Sequence, residues 1–282
     1  MSQSDIILKR IEEYERLGLF DKDVNDDPPT RPLRPGEVDY TLKKASTRIA
    51  SKIANKVGKN HFEKMLRRGD VIISAIYGTE NLDAVRDCGA MITCNHIGVF
   101  DNYAVYKACR PMLGKKGLYK IIREGNYTSF PGLYGYLFRH CNTLPLSSNL
   151  SCMKELMSAI HTLLGRGEKI LIYPEQAMWN DYKKPRPLKV GAFRFAAKEN
   201  APVLPIFITL ENTYIEGRDG NDVQQYTVHI LPAIFPEESK GVKENSLEMC
   251  QKNYDMWKEV YERVYKKKLE YTTEGEVKAC SI

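Results

Sequence analysis

The chain has 282 residues, with 42 Lys+Arg against 36 Asp+Glu and a net charge of +6; 43% of its residues are hydrophobic and 28% are charged. That balance supports a buried core and excludes the low-hydrophobicity, high-charge regime of disordered chains. No run approaches the roughly 18 uncharged apolar residues of a membrane-spanning helix, since the best runs, such as 71–77 and 170–173, are strand-length.

Residues 4–18 read as a short helix, and 21–37, with Pro28, Pro29, Pro32 and Pro35, as a linker. The first ten residues place acids and bases where a secretory signal needs an apolar run, so no such address is expected. Between Tyr40 and Asp70 nine bases face two acids, so this segment carries +7 and the other 251 residues sum to −1. Leu42, Ala45, Ile49, Ile53, Ala54 and Val57 recur there at helical spacing, which predicts an amphipathic helix with its apolar face on one side. Three readings fit: a helix packed on the domain, an interfacial membrane helix, or a nucleic-acid patch. Composition alone does not choose between them.

Beyond residue 70, short apolar runs alternate with helical patterns. Strands are predicted at 71–77, 90–94, 118–122, 143–146, 169–173, 203–210 and 226–234, and helices at 100–109, 150–164, 190–199 and 243–270. Interleaving of this kind predicts an α/β fold, a largely parallel central sheet flanked by helices, with an N-terminal amphipathic helical segment. The expected division is 1–70 and 71–282, with sites at the carboxyl ends of the strands. Seven scattered cysteines without a Cys-x-x-Cys pair predict reduced thiols, no disulfide framework, no zinc site and a cytoplasmic setting. Gly165 is read as a left-handed helix cap rather than part of a phosphate loop.

The chemistry-bearing stretch is Cys94-Asn-His-Ile-Gly-Val-Phe-Asp101, in which a polar pair ends an apolar strand. A turn through Gly98 can bring Asp101 back to one nitrogen of His96, fixing its tautomer and leaving the other nitrogen as a general base. The motif supplies no nucleophile of its own, so a substrate hydroxyl is the natural one. Taken alone, the pair also reads as a satisfied half-buried His and a helix N-cap.

Three further features follow in order: Pro174-Glu-Gln-Ala-Met-Trp179 after a strand, Lys189-Val-Gly191 opening a helix, and Ala201-Pro-Val-Leu-Pro-Ile206. With Asn-His-x4-Asp they resemble the glycerolipid acyltransferase family, which includes 1-acylglycerol-3-phosphate acyltransferases, over roughly residues 73–236. The resemblance implies that His96 is the base and Asp101 its orienting partner. It implies that Glu175 helps place the acceptor and that Lys189 and Gly191 form an anion contact. The implied reaction carries an acyl group from acyl-CoA or an acyl carrier protein to a lysolipid hydroxyl in phospholipid biosynthesis, with no metal and no redox cofactor. It also turns the basic helix into a docking element for an anionic membrane surface, with no nucleic-acid role and a peripheral, cytoplasmic location.

Two departures stand out. Where the family pattern carries an arginine after Pro-Glu, the chain has Met178, and where it carries one after the second block's short strand, it has Ser147 or Ser148. Met and Ser cannot reproduce the bidentate grip of a guanidinium on phosphate. Replacement cations would come from Arg123, Arg139, Lys183, Lys184, Arg186 and Lys189. Two alternatives to the transferase remain: an idle lipid-binding member of the same fold, and a thioesterase in which the base activates water.

Overall fold

The computed structural model describes residues 3–26, 29–114, 116–218, 220 and 222–281. Two helices come first, α1 (Gln3–Arg16) and α2 (Ala45–Arg68). The body then runs β1 (Ile72–Tyr77), a 3-10 turn (Thr79–Val85), β2 (Ala90–Cys94), α3 (Asp101–Leu113), β3 (Leu118–Arg123), α4 (Glu124–Thr128), α5 (Gly132–His140), β4 (Thr143–Leu146), α6 (Leu150–Gly165) and β5 (Lys169–Ile172). It closes with β6 (Leu188–Lys189), α7 (Val190–Lys198), β7 (Val203–Glu216), β8 (Asp222–Ile230), α8 (Val242–Tyr265) and β9 (Cys280–Ser281).

Seven strands form the main sheet in the order β1-β8-β7-β2-β5-β3-β4. Every neighbouring pair is parallel except β7 with β8, so the largely parallel sheet expected from the alternation is present. β2, Ala-Met-Ile-Thr-Cys, is buried at all five positions because it lies in the middle with helices on both faces, which is why it reads as a continuous apolar run. Ile121, Ile172 and Phe193 belong to the core beneath α6, α7 and α8, whereas Ile92, Leu171 and Phe100 belong to the opposite face. Local signals start and stop the helices. Asn149 caps α6 by accepting from Ser151 and Cys152 N–H groups, and Gly69, at φ 72°, ends α2 in the left-handed conformation. After α6 it is Gly167, at φ 75°, that adopts the left-handed conformation, while Gly165 remains helical.

Three expectations are corrected. The Pro-rich stretch is not a free linker: Phe20 and Val24 are buried with Ile11 against Ala177, Trp179 and Tyr182, and Leu33 is 2% exposed. Burying an indole such as Trp179 removes on the order of 150–250 Å² from water, worth roughly 4–6 kcal/mol, so this small cluster fastens the N-terminal segment to the body. The basic helix, in turn, does not present a single apolar face to the domain. Ser51, Ala54, Gly58 and Phe62 face inward, Leu42 lies before the helix with φ 53°, and Ile49 and Ile53 are 60% and 52% exposed. The inward stripe is set by close approach: a Cβ on Gly58 would stand 3.3 Å from Leu137, and Phe62 stacks on Tyr103 with centroids 5.1 Å apart. Finally, Cys250 and Cys280 form a disulfide. It ties α8 to the tail strand β9, which pairs with β6; only the tertiary return of the tail brings the two thiols together. No helix among the described residues is long and apolar enough to cross a membrane.

Candidate active site

His96 follows β2 at the carboxyl edge of the sheet, and its Nδ1 lies 2.9 Å from Oδ2 of Asp101, the first residue of α3. The same Oδ2 accepts the backbone N–H groups of Ile97, at 2.7 Å, and Gly98, at 3.0 Å. An oxygen already receiving two N–H donors acts as an acceptor, so Nδ1 of His96 is its third donor, and in the neutral imidazole that tautomer leaves Nε2 as the ring's acceptor. Asp101 is fully buried while the His96 side chain is 22% exposed and lines a large cavity. The turn must be tight, since a Cβ on Gly98 would meet the Tyr226 hydroxyl at 2.9 Å. Tyr173 lies flat on the imidazole, centroids 3.9 Å apart and planes 12° from parallel. Burial, with the Asp101 charge adding to it, pushes the Tyr173 phenol well above its ordinary value, so the ring that supports His96 stays neutral.

The main chain of His96 is held as firmly as its ring. Glu175 Oε2 accepts the His96 N–H at 3.0 Å and the Arg186 guanidinium at 2.8 Å, and its Oε1 accepts the Arg186 N–H at 2.8 Å. The two side chains of the Glu175–Arg186 pair are each 1% exposed. Arg186 also donates to the carbonyls of Phe20 and Ala177 and lies over the Trp179 ring, 4.8 Å from its centroid. A charge this deep persists only with its partner and its hydrogen bonds in place. Glu175 therefore faces His96 and Arg186 and is not among the residues lining the cavity, so any part it has in placing the acceptor runs through the His96 main chain. Arg186, one of the replacement phosphate ligands considered from the sequence, is committed here instead.

The cavity encloses about 1210 Å³, beyond the ~300–1,000 Å³ of ordinary small-molecule pockets. Phe62 and Tyr103 line it from one face of the sheet and Met157 and Phe195 from the other. Lys189, Gly191 and Arg123 line it as well, so the structure brings three of the expected binding residues to the same space as His96. Arg139 is not among the lining residues; its guanidinium donates to the Phe130 carbonyl. Lys183 and Lys184 are turned to Asn212 and Glu15. Lys189 pairs with Asp21 at 3.0 Å and Arg123 pairs with Asp23. Lys189 holds the Asp21 carboxyl below its ordinary value through their hydrogen bond, against the opposing effect of burial.

Sequence reading missed Tyr173, the Arg186 partnership and the two aspartates. Only Tyr173 left a signal, an aromatic directly before Pro174-Glu175 at a strand's end. Among the described residues, no cluster of three or more His, Cys, Asp or Glu is placed to hold a metal ion.

The site is thus a histidine hydrogen-bonded to a buried carboxylate, at the carboxyl edge of a largely parallel sheet and open to a mostly apolar cavity. Residues 73–209 match the model of the acyltransferase family. Among solved structures it is similar to the 1-acyl-sn-glycerophosphate (LPA) acyltransferase PlsC from Thermotoga maritima, with 18% identity, a TM-score of 0.52, and 82% of this chain and 87% of that one covered. At that identity the likeness establishes a shared fold. A sequence search of curated proteins finds no match.

Proposed function

We propose that the protein transfers a fatty acyl group from a thioester, acyl-CoA or an acyl carrier protein, to a hydroxyl of a lysophospholipid or related glycerolipid. The observation that carries this reading is the His96 Nδ1–Asp101 Oδ2 contact of 2.9 Å at the edge of an apolar cavity. In the proposed step Nε2 takes the proton of the acceptor hydroxyl as its oxygen attacks the thioester carbonyl carbon. The tetrahedral oxyanion collapses with loss of the thiolate, and the imidazolium returns the proton to sulfur. Asp101 stabilises the imidazolium and holds its ring in place. The steps are proton and acyl transfers, so the proposal includes no metal and no redox cofactor.

A cavity of about 1210 Å³ lined from both faces of the sheet has room for donor and acceptor chains beside His96. Access from a lipid surface is supported by α2. Ile49 and Ile53 stand exposed among Arg48, Lys52 and Lys56, and Asn55, Gly58, Lys59 and Phe62 of the same helix line the cavity. Exposed apolar residues framed by bases suit the interface of an anionic bilayer. The reading therefore places the protein at a membrane surface, with no role for nucleic acid.

The test is acyl transfer by the purified full chain from labelled acyl-CoA to lysolipids in vesicles. Label entering a two-chain lipid, with thiol release that depends on the acceptor, supports the transferase. Free fatty acid released at the same rate without acceptor would instead make it a thioesterase.

A further inference from the structure

Among the described residues that line the cavity, Asp21 and Asp23 are the only carboxylates, and each is paired with one of its cations. These are Lys189 and Arg123, two of the groups available in place of the arginines missing at Met178 and Ser147 or Ser148. The aspartates do not lie there by accident of a loose chain. Phe20 and Val24, which flank them, are buried. The Phe20 carbonyl takes the Arg186 guanidinium and the Lys22 carbonyl takes the Trp179 indole N–H. Asn25 donates to Asn180. The loop beneath is tied to the catalytic turn, since the N–H groups of Trp179 and Asp181 donate to the carbonyls of His96 and Ile97. Lys189 joins the same frame through its N–H to the Pro174 carbonyl.

We infer that Asp21 and Asp23 are specificity-determining residues that set the acceptor head group as a zwitterion, a phosphodiester bearing an ammonium. The inference rests on the lysolipid reading above. A phosphomonoester, carrying between one and two negative charges near neutral pH, would compete with both aspartates for the same two cations and leave the displaced carboxylates beside it. A phosphodiester with an ammonium exchanges partners without loss: its phosphate takes Lys189 and Arg123 while its ammonium takes Asp21 and Asp23. The side chains of both pairs are a quarter to about a half exposed, and pairs of that kind contribute little on their own, so they can open for such a ligand. Lys59, Arg194 and Lys198 also line the cavity and have no carboxylate within ion-pair distance among the described residues; they suit the anionic donor.

The test uses the full chain, one acyl-CoA and three acceptors with the same acyl chain: lysophosphatidylethanolamine, lysophosphatidylglycerol and lysophosphatidic acid. The expected kcat/KM for the ethanolamine acceptor exceeds both others at least tenfold. In the D21N/D23N double variant that preference falls at least tenfold, with the monoester gaining several-fold, while D21E/D23E, which keeps both charges, retains it. A wild-type preference for the monoester overturns the inference alone, as does a ratio in D21N/D23N within twofold of wild type at an unchanged melting temperature. A chain that acylates none of the three overturns the lysolipid reading and this inference with it.

Discussion

Replacing Glu175 by Gln removes one charge and almost no volume, yet a large effect is expected. Both carboxylate oxygens face donors: Oε2 accepts from His96 N–H and the Arg186 guanidinium, and Oε1 from Arg186 N–H. Whichever way an amide is placed, its NH₂ meets an N–H donor, and Arg186, 1% exposed, loses its counter-ion. Breaking a buried pair from one side costs about 3–5 kcal/mol. At roughly 2–4 °C per kcal/mol for a domain of this size, the melting temperature should fall by roughly 6–20 °C. Acyl transfer should fall too, because the His96 main chain loses an anchor. Scanning calorimetry and the transfer assay check both. In E175L/R186M, where no charge is left unpaired, part of the lost stability should return while activity does not. Melting of E175Q within about 2 °C of wild type would refute this account of the pair.

D101N, which takes away the charge that orients the base and stabilises its imidazolium, should lower kcat by roughly 10²–10⁴-fold, with a melting temperature near wild type. I49D/I53D, on the exposed side of α2, should abolish sedimentation with anionic vesicles while the transfer rate on micellar acceptor is largely kept; unchanged sedimentation would return the helix to an ordinary surface role. His229 is buried against Thr209, and burial, aided by the Arg263 charge, pushes its imidazole down to about 4. Its neutral form is the one that fits, so its contribution is complete above the unfolded value near 6.5 and is lost as pH falls toward 4. The full loss is about 3 kcal/mol, and the dependence of the melting temperature on pH from 7 to 4.5 should be flatter for H229Q than for wild type.

How much was legible depended on the distance over which each feature is decided. β2 and β4 were readable because each is a short apolar run bounded by polar turns. The His96–Asp101 contact was within reach because five residues and one glycine turn span it. Which side of α2 packs inward was not legible, because the helix is anchored by Gly58 and Phe62, whose contacts with Leu137 and Tyr103 are tertiary. α5 escaped notice because its glycines argue against a helix. Gly135 is there because a Cβ would come within 1.8 Å of the Phe130 carbonyl. Arg186 read as a candidate phosphate ligand; only the folded arrangement of Glu175, Phe20 and Trp179 shows why it is buried. Asp21 and Asp23 sat in a stretch that prolines marked as linker, and nothing local indicates that Phe20 and Val24 fasten it beside the cavity.

In the proposed reaction His96 draws the proton from the acceptor hydroxyl. It is tested most directly by H96A, assayed for acceptor-dependent release of CoA beside the wild type. The wild type should release thiol and form acylated lipid in equal amounts, whereas H96A, folded and melting within a few degrees of wild type, should lose at least a hundredfold in rate. Transfer by folded H96A at the wild-type rate would contradict it.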